Sequence, residues 1–136
     1  MQQKFQKDRN TVRQLNPLVL ASIGDAVYSL YMRAYFVAKQ DLNARSLHSA
    51  AAKLVCAAAQ KEAYYKIESM LSEEERYIAR RGRNAHPGTV PKNANIMDYR
   101  TATALEAVFG YLFLLREAER IDRLIQKIWE EQHETV

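Results

Sequence analysis

Residues 18–31 read as an apolar helix interrupted in its middle by Gly24 and then Asp25. Neither residue suits a helix interior. Glycine costs about 1 kcal/mol there relative to alanine, and aspartate is a poor helix former. The Asp25 carboxylate shares the stretch with Leu20, Ile23, Val27 and Leu30. An unpaired charge in apolar surroundings is costly enough that the fold must bring it a partner. A metal ion is one such partner, and its other ligands can be sought along the chain.

Four glycines and three prolines in 136 residues leave little turn punctuation, which favours an all-α chain over one built from hairpins. The 48% apolar content supports a core, and the length suits a single domain. The expected domain spans 16–136, behind a flexible basic N-terminus, 1–15, in which Leu15 is the first anchor. No stretch approaches the ~18 apolar residues of a membrane span, and the polar start holds no secretory signal. A cytoplasmic protein without membrane partners is expected. Cys56, the sole cysteine, excludes an intramolecular disulfide and a cysteine-rich zinc site. Among Leu54, Val55 and Ala57 it reads as a small core residue.

Asn16 and Pro17 predict a helix start, because Asn caps free N–H groups and Pro at the first position loses nothing. That helix runs to about residue 39. Leu30, Tyr31, Ala34, Tyr35, Val37 and Ala38 keep it apolar on much of its circumference, which predicts a central helix. Leu47, Ala51, Leu54, Val55 and Ala58 continue at helical spacing over 44–69, with a break placed only as near 56–60. Ser72 and Glu75 form a capping box that opens a helix to about 83. Residues 84–97 hold two of the three prolines and read as one long loop, a length that usually signals function. Asp98 is expected to cap a helix over 99–115 whose Leu105, Val108, Phe109, Leu112 and Phe113 face the core. An amphipathic helix over 116–132 is packed down by Trp129.

Glu106 repeats the anomaly of Asp25: it stands in the most apolar helix of the C-terminal half. Gly110, four residues on, shares its face and leaves room for another helix. Two carboxylates on two apolar helices, each near a glycine, suggest a shared hard cation, and Mg²⁺ fits such oxygen ligands. Asp25 and Glu106 are therefore the candidate catalytic and metal residues. Each acid could instead pair with an arginine such as Arg33 or Arg100, or cap a neighbouring helix.

The charge is unevenly spread. Six basic residues (Arg76, Arg80, Arg81, Arg83, Lys92, Arg100) stand against Asp98 alone over 76–100, and fourteen against fifteen acids elsewhere. A local excess suits a polyanion. Arg80, Arg81, Arg83, Asn84, Lys92, Asn93 and Arg100 are candidate RNA-binding residues, since Arg meets phosphate bidentately. The loop lacks aromatic residues for base stacking, which favours duplex backbone over single strands. His48, His86 and His133 lack metal-ligand spacing, and no Ser-His-Asp order or phosphate-binding glycine loop is present.

Ile23, Gly24, Asp25, Ala26 and Val27 resemble the signature helix of the ribonuclease III family. Residues 105–110, with Glu106, resemble its second acidic motif. Arg81, Gly82, Arg83 and Asn84, then Pro91, Lys92 and Asn93, and the run 99–106 resemble its short bacterial branch, mini-ribonuclease III, which lacks a double-stranded-RNA-binding domain. The resemblance implies an all-α ribonuclease III-like endonuclease domain, active as a homodimer on an RNA duplex. It implies Asp25 and Glu106 as catalytic acids on Mg²⁺, with Mn²⁺ as a substitute, and products with a 5′-phosphate and a 3′-hydroxyl. The implied substrate is the precursor of 23S ribosomal RNA. Ala21 and Thr103 stand where longer members carry further acids, so water or RNA must complete the coordination. Those two departures keep a second reading open, a catalytically inactive helical RNA-binding or ribosome-associated scaffold. A purely structural helical dimerisation module is the third.

Overall fold

The computed structural model describes residues 8–39, 41–85 and 95–134. These form seven α-helices and no strand: α1 (Arg9–Arg13), α2 (Pro17–Lys39), α3 (Ala44–Val55), α4 (Ala57–Ile67), α5 (Glu73–Asn84), α6 (Ile96–Leu114) and α7 (Ala118–Glu134), with a 3₁₀ turn at Glu68–Met70 between α4 and α5. The all-α expectation holds.

Local chemistry starts most helices where it was expected. Asn16 accepts from the Leu18 N–H at 2.8 Å, with Pro17 as the first helical residue of α2. Ser72 and Glu75 close the reciprocal capping box of α5. The break near 56–60 falls at Cys56, whose extended backbone ends α3 and precedes α4.

Four expectations are corrected. Cys56 is exposed, not core, because it occupies that junction, where its thiol donates to the Lys53 carbonyl. Asp98 does not cap α6: Asn95 does, accepting from the Met97 and Asp98 N–H groups, while Asp98 pairs with Lys61 of α4 at 2.9 Å. Part of the lead-in expected to be flexible is helical, since α1 is capped by Asp8 and buries Val12; residues 1–7 lie outside the described residues. The fourth concerns which helix is central.

That helix is α6. From Thr101 to Leu112 it is buried all round except at Glu106, and α2, α4 and α5 pack against it. Phe109 meets the Tyr28 ring of α2 edge-on, centroids 5.3 Å apart. α7 closes the bundle with buried Ile121, Leu124, Ile125 and Ile128, and Trp129 packs edge-on to Phe36. α2 buries only one side. Val19, Leu30 (64% exposed) and Val37 face outward, and with Ala26 their spacing of seven, four and seven lines one strip.

Beside this core, Glu75 is buried and accepts from Arg120 through both Nε and a terminal nitrogen. Burial pushes its carboxyl up, but Arg120 and the Ser72 backbone outweigh that and hold it below the usual carboxylate range. The turn from α6 to α7 carries Arg116 at φ 62°. There the Arg116 and Glu117 N–H groups bond the Phe113 and Leu112 carbonyls, a helix ending that usually takes glycine.

Candidate active site

The site is made where α2 crosses α6, and glycine makes the crossing. A Cβ on Gly24 would stand 1.6 Å from the Glu106 carbonyl oxygen, and one on Gly110 would stand 1.9 Å from that of Leu20. Backbone therefore touches backbone, with no side chain between the helices. The residue after Gly24 is Asp25, and the carbonyl it meets belongs to Glu106. The two carboxylates are thus brought side by side on helices otherwise committed to the core.

Their environments differ. Asp25 is exposed and Glu106 half-buried. Burial, then the Asp25 charge and a hydrogen bond shared with it, push the Glu106 carboxyl up to about 8, while Gln60 of α4 opposes them. Metal-free Glu106 therefore keeps a proton well above the ordinary 4.5. Its contribution to folding is full below that value and is lost as pH rises towards about 8. Glu106→Gln, which mimics the protonated acid, should match wild type in thermal unfolding at pH 4.5 in EDTA and unfold at higher temperature at pH 8. A difference independent of pH would exclude this environment for Glu106.

The alternative of an arginine partner is not observed. Among the described residues the ion pairs are Arg9 with Glu74 and Glu117, Lys61 with Asp98, and Arg120 with Glu75. Arg33 bonds Ser29 instead. Two hard oxygen donors of like charge, one of them desolvated, fit a divalent cation that would relieve both. The supply of protein ligands is short. No group of three His, Cys, Asp or Glu gathers among the described residues, Ala21 is buried, and the Thr103 hydroxyl donates to the Tyr99 carbonyl at 2.8 Å.

The basic candidates separate into two kinds. Arg80, Asn84 and Arg100 are exposed. Arg81 and Arg83 are half-buried. Arg81 donates to the Arg13 carbonyl of α1 at 2.7 Å, and Arg83 lies over the Tyr64 ring at 5.4 Å. Tyr77, not singled out from sequence, has Arg13 at 4.4 Å, Arg80 at 5.9 Å and Arg81 at 5.8 Å around its ring. Lys92, Asn93 and the rest of 86–94 lie outside the described residues. A groove of about 590 Å³ lined by Glu75, Arg116, Arg120 and Arg123 shares no residue with the acid pair. Gln60 was missed from sequence. Its only signal there was a lone amide among Ala57, Ala58, Ala59 and Ala63.

Comparison with known proteins agrees with this geometry. Residues 18–117 match the Ribonuclease III domain. A Mini-ribonuclease 3 of Thermoanaerobacter sp. (strain X514) is 48% identical over 115 residues, 85% of this chain and 81% of that protein. One from Clostridium tetani is 43% identical over 121 residues, 88% and 80% of the two chains. A crystal structure of a Fusobacterium nucleatum protein superposes with a TM-score of 0.79 at 33% identity, covering 89% of this chain and 97% of that one.

Proposed function

The chain belongs to the ribonuclease III family, an endoribonuclease of double-stranded RNA, and from that premise we propose that Asp25 and Glu106 hold Mg²⁺ for hydrolysis of the phosphodiester. The observation that carries this reading is the pair of like-charged carboxylates forced together by a glycine crossing, without a basic partner among the described residues. Mn²⁺ is a substitute ion. A cation bound there would polarise the scissile phosphate and lower the pKa of a bound water. Glu106 gives up its proton on loading, so cation affinity rises with pH up to about 8. Exposed Asp25 presents the site to the duplex. Because Ala21 and Thr103 offer no oxygen, water and the RNA fill the remaining positions. The products carry a 5′-phosphate and a 3′-hydroxyl, and the substrate is the 23S ribosomal RNA precursor.

Residues 16–136 form the catalytic domain. It works as a homodimer in the cytoplasm, a reading supported by the exposed apolar strip of α2 and by the absence, among the described residues, of any helix long and apolar enough to cross a membrane. A labelled RNA duplex incubated with the purified protein should be cut in Mg²⁺ and left intact in EDTA. Binding without cleavage in Mg²⁺ would favour the inactive scaffold.

Arg80, Asn84 and Arg100, with Lys92 and Asn93, grip phosphate, while Arg81 and Arg83 brace α5 against α1 and α4. Replacing Arg80 and Arg100 together by Gln should weaken duplex binding and reduce the salt slope by about 2, one per lost phosphate contact. An unchanged slope in a filter-binding titration would remove this face from the contact surface.

A further inference from the structure

Gln60 stands on α4 with Ala63, Tyr64 and Ile67 as its buried face, and α4 packs against α6. The residue is 2% exposed, and its Nε2 has no hydrogen bond among the described residues. Leaving a buried donor unsatisfied costs about 1–3 kcal/mol, which an apolar side chain of the same shape avoids. Stability alone therefore argues against an amide here. What the amide does reach is Glu106, whose ionised form it favours against burial and the Asp25 charge. The neighbouring Thr103 cannot substitute, because its hydroxyl is committed to Tyr99.

We propose that Gln60 is a positioning residue for Glu106: its amide N–H group holds one carboxylate oxygen and turns the other towards a divalent cation shared with Asp25. The orphaned donor is then the waiting half of a hydrogen bond that closes when Glu106 is ionised and loaded. An amide on α4 supplies the orientation that a third acid would supply elsewhere. This inference rests on the reading of Asp25 and Glu106 as the cation ligands.

Gln60→Met keeps the length and removes the donor. Mn²⁺ binding to the RNA-free protein, followed by electron paramagnetic resonance, should weaken about 10- to 100-fold, the usual effect of removing an outer partner of a metal ligand. Thermal unfolding in EDTA should stay level or rise, since the unsatisfied donor is gone. Cleavage should recover at saturating Mn²⁺, placing the defect in the metal requirement. Gln60→Leu is read in the same way if the methionine variant folds poorly. Unchanged Mn²⁺ affinity in a folded variant would overturn the proposal. So would parallel loss of affinity and metal-free stability, which marks mere packing. Asp25→Asn separates the two levels. If it binds Mn²⁺ like wild type, or wild type binds none, the ligand assignment itself falls and Gln60 with it.

Discussion

Asp25→Asn should lower cleavage of an RNA duplex by about 10³-fold or more while leaving folding and RNA binding in place. Asparagine keeps the shape but withdraws the charge that a hard cation requires. The charge stabilisation a catalytic metal supplies is several kcal/mol, and each ~1.4 kcal/mol is tenfold in rate. Folding is spared because Asp25 is exposed and makes no ion pair among the described residues. Removing its charge also relieves Glu106, so the variant should be slightly more stable than wild type at pH 8 in EDTA. The phosphate-gripping arginines are untouched, and gel-shift affinity in EDTA should be close to wild type. Full cleavage activity in this variant would end the assignment of Asp25.

Gly24→Ala should have the largest effect on the fold. The added carbon would stand 1.6 Å from a backbone oxygen of α6, and a backbone atom cannot rotate away as a side-chain tip can. The helices must separate along the crossing that builds the core. Overpacking typically costs about 1–3 kcal/mol when side chains can yield. Here they cannot, so a loss of about 3 kcal/mol or more is expected, a large share of the roughly 5–15 kcal/mol that holds a domain together. The midpoint of thermal unfolding should fall by roughly 10 °C. Gly82→Ala is the comparison. Its added carbon would approach the Ala107 methyl at 2.9 Å and the Thr103 carbonyl at 3.0 Å, a strain that a small shift of α5 relieves. If Gly24→Ala proves no more harmful than Gly82→Ala, the crossing is not what holds the acids together.

What the sequence showed of this arrangement follows from how far each cause reaches along the chain. Asn16 with Pro17, and Ser72 with Glu75, act within one helical turn, so their consequences were readable. Gly24 and Gly110 were readable for another reason: a missing side chain in an apolar helix already implies close approach. The pairing of Asp25 with Glu106 followed from treating their anomalies together. Asp98 and Asn95 are both good caps three residues apart. Lys61, on a distant helix, decided between them. Arg81 looked like a free cation because its acceptor, the Arg13 carbonyl, lies 68 residues away in sequence. Gln60 escaped notice because an amide in an alanine-rich helix resembles a solvated position until α6 covers it. The centrality of α6 over α2 was hidden too, since a helix apolar on two sides reads alike whether neighbours or water meet the second.

Cys56 offers a use unrelated to chemistry. It is the sole cysteine of the chain, and it is exposed at the joint between α3 and α4. A nitroxide attached there marks each molecule once, at a fixed corner of the bundle, without any engineered residue. A solution of single chains would give no dipolar signal, whereas paired chains would give one distance set by their symmetry. Titrating duplex RNA into such a sample would show whether the substrate changes the spacing of the two copies or finds it already set.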